Sequence, residues 1–112
     1  MHAGARIRLL EALAGAEARW GISEIADAIG VDQPRASRLV ADAASRGLVT
    51  RDVDPKDARK SVVAITDAGR ELLTQVHAGR RSAVEQALAD FTAEDAATLA
   101  ALLSRFAAAW PR

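Results

Sequence analysis

The stretch Asp54-Pro55-Lys56-Asp57-Ala58-Arg59-Lys60-Ser61-Val62-Val63-Ala64-Ile65-Thr66-Asp67-Ala68-Gly69 decides how the chain reads. Proline, aspartates and cations cluster over residues 54–60, the composition of a tight turn. Ser61 to Ile65 is short and rich in β-branched residues, which suits a strand. Thr66 is a good helix N-cap, and it stands directly after the apolar Ile65. On the other side of the turn, Val49, Arg51 and Val53 alternate with Thr50 and Asp52, so Leu48 to Val53 reads as a second strand. A two-stranded hairpin is marginal alone, so this one must lean on a helical body. Lys56, Arg59 and Lys60 place three cations in or beside its tip.

Upstream lies that body. Ile7, Leu10 and Ala14 form one apolar stripe, widened by Leu9 and Leu13, so residues 5–16 read as a helix. Trp20, beside the turn at Gly21, reads as a plug for a small core. Ser23 is placed to cap a short helix over residues 24–29, with Ile22, Ile25, Ala26 and Ile29 on its buried face. Gly30 ends it in the manner of a left-handed cap. Asp32 caps the next helix, and Pro34 falls in the first turn, where no amide donor is needed. That helix runs to about residue 46, burying Ala36, Leu39, Val40 and Ala43. Steps of 100° per residue put Pro34, Arg38, Ala41 and Ser45 on the opposite side, with Arg35 and Ser37 flanking Arg38. Two helices joined by Gly30-Val31-Asp32 follow the helix-turn-helix plan. The order helix, helix, helix, hairpin is that of a winged helix-turn-helix, and the charged loop is the wing.

Downstream, Leu72, Leu73, Val76, Val84, Ala87 and Leu88 carry an apolar stripe for about six turns, crossed by Gly79-Arg80-Arg81, a place for a bend or for departure from the body. Phe91-Thr92-Ala93-Glu94-Asp95 starts another helix, with Thr92 as N-cap and two acids near the positive dipole end. Leu99, Leu102, Leu103, Phe106 and Trp110 form its apolar face, and Pro111 stops it.

At 112 residues the chain fits a single domain, residues 1–112. Within it, residues 5–66 form the winged helix-turn-helix part and 67–112 a helical part. The 27 alanines favour helix over sheet. Net charge is zero, yet residues 33–70 hold eight Arg or Lys against five Asp, a local +3. A basic middle in a neutral chain points to an anionic partner. Cysteine is absent, which removes disulfides, thiol nucleophiles and thiolate metal sites. His2 and His77 are the only histidines, too few for a His-rich metal site within one chain. No apolar run approaches the roughly 20 residues of a membrane span, and Arg6, Arg8 and Glu11 interrupt any signal-type segment. These features predict a soluble, intracellular protein, cytoplasmic in location, with no enzyme activity, cofactor or membrane.

The reading helix carries the chemistry of a major-groove reader. Arginine can bind guanine with two bonds, and Ser or Gln can reach bases or phosphates. Arg35, Ser37 and Arg38 are the predicted major-groove residues, with Gln33 beside them. Arg51, Lys56 and Lys60 are assigned to phosphates.

The ordered set of motifs resembles the MarR family of winged-helix transcription regulators. The wing and following helix, Asp57 through Arg59 to Ile65-Thr66-Asp67-Ala68-Gly69 and Leu72-Leu73, fit the family pattern. So do Ile25-Ala26, Ile29-Gly30-Val31, Ser37-Arg38-Leu39-Val40, Gly47-Leu48-Val49-Thr50-Arg51 and Phe91-Thr92 to Leu99. The resemblance spans about residues 5–110. It implies a homodimeric repressor or activator on a pseudo-palindromic site in double-stranded DNA. It also implies that Arg59 enters the minor groove, held by Asp57, and it admits a small-molecule effector. A narrow minor groove concentrates negative potential, which suits an inserted guanidinium. Members of that family usually carry a further N-terminal helix, and this chain begins almost at the next one. The expected dimer interface therefore falls to Leu73, Val76, Val84, Leu88, Leu99, Leu103, Phe106 and Trp110. The alternative is a winged-helix protein-interaction module, or a partner in mixed dimers, without its own operator.

Overall fold

The computed structural model describes residues 3–16 and 19–111. Five helices and three strands follow in the order α1 (Ala3–Ala16), β1 (Trp20–Gly21), α2 (Ile22–Ile29), α3 (Gln33–Ser45), β2 (Val49–Asp54), β3 (Asp57–Ile65), α4 (Asp67–Ala87) and α5 (Ala93–Ala109). The chain forms two compact units, residues 1–76 and 77–112, and the division falls within α4.

The first unit is a winged helix-turn-helix. Its core draws Ala5, Leu9, Leu10 and Leu13 from α1, Ile25 and Ala26 from α2, and Ala36, Val40 and Ala43 from α3. Val49, Val63 and Leu73 close it from the sheet and from α4. Leu9, Leu10, Ile25, Val40 and Val63 are fully buried, each stabilising the fold by about 1.5–3 kcal/mol. Trp20 is half-buried against this core rather than sealed inside it.

Local chemistry sets the element ends. Gly30 takes φ 72°, and Val31 N–H donates to the Ala26 carbonyl, closing α2 with a left-handed turn. Asp32 Oδ1 accepts the Arg35 amide at 2.8 Å and starts α3. Ser23 does not cap α2. The helix begins two residues earlier than expected, at Ile22, and Glu24 reaches back to accept the Gly21 N–H at 3.1 Å. Thr66 Oγ1 accepts the Gly69 amide at 3.1 Å and donates to the Gly47 carbonyl at 2.7 Å. One hydroxyl thus starts α4 and fastens it to the loop after α3. Gly69 is required there, because a Cβ would press on the Leu48 carbonyl oxygen and lie 2.7 Å from Ile65 Cγ1.

The sheet differs from the expected hairpin in two ways. A third strand is present, and the order is β1-β3-β2, all antiparallel. Trp20 pairs with Val63 and Gly21 with Val62, so the loop before α2 is sewn to the middle strand. The turn is also much shorter than residues 54–60. Only Pro55 and Lys56 lie outside the strands, and β3 already begins at Asp57. The ladder runs from Val49↔Ile65 to Val53↔Ser61, then jumps to Asp54↔Asp57. Ala58, Arg59 and Lys60 are left bulged out of register on β3.

In the second unit, α4 continues through Gly79-Arg80-Arg81 without a break. Thr92 and Asp95 exchange side-chain and backbone bonds at 3.0 and 3.3 Å, a capping box that starts α5. No residue of α5 is buried. No described helix is long and apolar enough to cross a membrane.

Candidate nucleic-acid interface

Two surfaces of the first unit carry the cations singled out in the sequence. The first is α3. Its buried face, Ala36, Leu39, Val40 and Ala43, packs into the core, which leaves Gln33, Arg35 and Arg38 exposed. Ser37 is half-buried at the margin between the two faces. An ion-pair clasp ties the helix to α1. Asp42 accepts from Arg6 Nε at 3.2 Å and from Arg46 Nε at 3.1 Å. The Arg46 hydrogen bond, reinforced by Arg6, holds the Asp42 carboxyl below its ordinary 3.8.

The second surface is the wing. Asp54 accepts the Lys56 amide at 2.8 Å and so folds the two-residue tip. Asp57 does the same for the bulge. Its Oδ1 accepts the Arg59 backbone N–H at 3.0 Å and the Arg59 Nε at 3.2 Å. The backbone bond first, and the guanidinium second, lower the Asp57 carboxyl from 3.8. The two side chains are very differently exposed, 29% for Asp57 and 90% for Arg59. The acid is seated in the wing while the guanidinium stands out from it. This is a bracket on a bulge, made by residues two apart on β3.

A cleft joins part of these surfaces. Gln33 lines it with Arg51, Arg59 and Lys60, and Asp54, Ser61 and Val62 complete the wing side. Arg51 is steadied by donating its Nε to Ser61 Oγ at 3.2 Å. Arg35, Ser37, Arg38 and Lys56 do not line this cleft. Arg19, Gly21, Ile22, Ser23 and Glu24 do, and none was singled out as a binding residue from sequence. The signal for Arg19 is the two-residue strand that follows it, which periodicity over a short window does not reveal.

The residues expected to form a dimer face divide. Leu73 is corrected outright. It is only 6% exposed and belongs to the core of the first unit, because the first turns of α4 close that core. Val76 is half-buried against the same core. Leu88 is half-buried within the second unit. Val84, Leu99, Leu103, Phe106 and Trp110 are exposed, as are Phe91 and Leu102. The Phe106 and Trp110 rings stack at 5.4 Å with a 50° tilt.

The sequence profile of the MarR family matches residues 3–60, which hold α1, the helix-turn-helix and most of the wing. No curated protein matches the chain. Among solved structures, the YusO protein of Bacillus subtilis is 24% identical with a TM-score of 0.88, over 95% of this chain and 74% of that one. Wild-type MarR from E. coli, in its apo form, is 25% identical with a TM-score of 0.76, over 91% of this chain and 75% of that one. The PcaV transcriptional regulator of Streptomyces coelicolor, in complex with its natural ligand, is 26% identical with a TM-score of 0.65, over 94% and 74%. With its helix-turn-helix and wing built as described, the chain belongs to the MarR family of winged-helix transcription regulators.

Proposed function

We propose that the protein is a sequence-specific DNA-binding regulator that acts as a homodimer on a pseudo-palindromic operator. The carrying observation is the Asp57–Arg59 bracket, which presents a guanidinium 90% exposed from a bulged strand. In this reading Arg59 enters the minor groove, where negative potential is concentrated. Arg35, Ser37 and Arg38 contact base edges in the major groove, and Gln33 assists from the first turn of α3. Arg51, Lys56 and Lys60 hold phosphates, which set position without reading sequence. The cleft shared by Gln33, Arg51, Arg59 and Lys60 supports assigning both elements to one ligand.

The apolar surface of the second unit supports a dimer. Val84, Leu99, Leu103, Phe106 and Trp110, with Leu88, would be covered by a second copy. Each copy then brings one reading helix and one wing, with half-sites roughly 10 bp apart. The PcaV structure, solved with its natural ligand, supports a small-molecule effector for this chain too.

The test is a titration of labelled DNA, first selected from a random pool, at several salt concentrations. Each phosphate contact should add about 0.9 to the slope of log affinity against log salt. A slope near zero sinks the reading. Arg59→Ala should weaken binding strongly and leave the melting temperature unmoved. Unfolding by that substitution would make Arg59 a structural residue.

A further inference from the structure

We infer that Arg19 is an additional phosphate-binding residue of the DNA face, and that Asp52 occupies it while DNA is absent. This inference rests on the DNA-binding reading above. Arg19 directly precedes β1, whose Trp20 and Gly21 pair with Val63 and Val62 of the wing's middle strand. A cation far away in sequence is thereby fixed beside Arg51, Arg59 and Lys60 on the rim of the same cleft.

Among the described residues Arg19 pairs with Asp52, which stands outside the lining of that cleft, and this ion pair is easily exchanged. Arg19 Nη1 lies 3.9 Å from Asp52 Oδ2, and the two side chains are 60% and 57% exposed. A long contact between solvated groups is weak and screened by salt. The carboxylates that line the cleft have backbone partners, Glu24 the Gly21 amide and Asp54 the Lys56 amide. Among the described residues, Asp52 is the carboxylate that faces Arg19 in an ion pair. A phosphate offers a guanidinium two parallel charge-assisted bonds, which a distant carboxylate does not. Approaching DNA would therefore take Arg19 from Asp52.

The experiment measures salt-dependent binding of the selected operator and of an unrelated duplex by wild type, Arg19→Ala, Arg19→Lys, Asp52→Asn and the Arg19→Ala/Asp52→Asn double variant. Arg19→Ala should lower the salt slope by about 0.9 on both duplexes, with the preference between them unchanged. Arg19→Lys should keep the slope. Asp52→Asn should tighten binding, and most of that gain should vanish in the double variant. An unchanged slope in Arg19→Ala overturns the contact. Equal tightening with and without Arg19 overturns the exchange with Asp52, leaving only a general charge effect. Should Arg19→Ala fold poorly, Arg19→Gln replaces it, and an unchanged slope in that variant overturns the contact equally well. A wild-type protein with no salt-dependent binding would instead bring down the DNA reading itself, so the two failures are distinguishable.

Discussion

The two units solve the same problem in opposite ways. The first buries leucines, isoleucines and valines from six of its elements around one centre. The second keeps α5 entirely unburied, with Leu103, Phe106 and Trp110 all more than half exposed. Both rest on alanine-rich amphipathic helices, so composition does not separate them. What separates them is whether a third layer is present. In the first unit α1, α2 and α3 surround one another and the sheet adds a lid. A pair of helices has no such lid, and an apolar stripe wider than one contact stays in water. The second unit thus keeps an exposed apolar face.

The strongest way to break this contrast is a matched pair of truncations. Leu10→Ala should cost about 2–5 kcal/mol, because a fully buried leucine leaves a cavity. Urea unfolding reads that directly. Leu103→Ala should leave unfolding of dilute protein within about 0.5 kcal/mol of wild type. Its effect should appear in sedimentation, as weaker self-association at rising concentration. Equal losses in urea for both variants would show that α5 belongs to the core after all.

A second pair uses glycines of α4. Gly69→Ala should destabilise by about 1–3 kcal/mol, since the intruding methyl meets the Leu48 backbone, which has no freedom to move aside. Gly79→Ala meets nothing within 4 Å and should stabilise the helix by about 0.5–1 kcal/mol. Opposite signs in thermal melts sharpen the distinction between a packed and an open stretch of one helix. A neutral Gly69→Ala would dissolve it.

The caps come next. Thr66→Ala and Thr92→Ala should each cost about 0.5–2 kcal/mol. Thr66 should be the larger loss, because its hydroxyl also donates to the Gly47 carbonyl, whereas Thr92 serves α5 alone. Calorimetry of both variants checks the order.

The smallest effect is titration of the Asp42 clasp. Its folded carboxyl lies below 3.8, mainly through the Arg46 hydrogen bond. A depressed acid stabilises fully above its unfolded value and loses that contribution as pH falls through the folded one. Stability should therefore decline below about pH 4 in wild type, and less steeply in Asp42→Asn. Parallel melting curves across that window would remove Asp42 from the account.

Much of the first unit was legible because short-range bonds define it. Gly30, Asp32 and Thr66 each cap a helix within one turn of their own position, so their residue types carry the signal. The apolar faces of α2 and α3 were legible for the same reason. β1 was not, because two residues make no period and their pairing with Val62 and Val63 is a long-range event. The bulge at Ala58 to Lys60 was read as loop, since its residues look like turn residues while strand geometry holds them. Leu73 was misassigned because periodicity says that a face is apolar and leaves open which core receives it. Lys56, Arg59 and Lys60 stood out as cations next to a turn. Arg19 did not, because the strand that brings it to the wing is set by tertiary pairing alone.

The edge position of β2 has a colloidal consequence. An outermost strand offers unpaired backbone groups to any passing chain. Here that strand carries Arg51, Asp52 and Asp54, and its register breaks at Val53/Asp54. Alternating charge and an irregular rim are poor templates for strand-to-strand growth. These charged side chains therefore also keep the wing from seeding aggregation, even with Val53 63% exposed near the end of the strand.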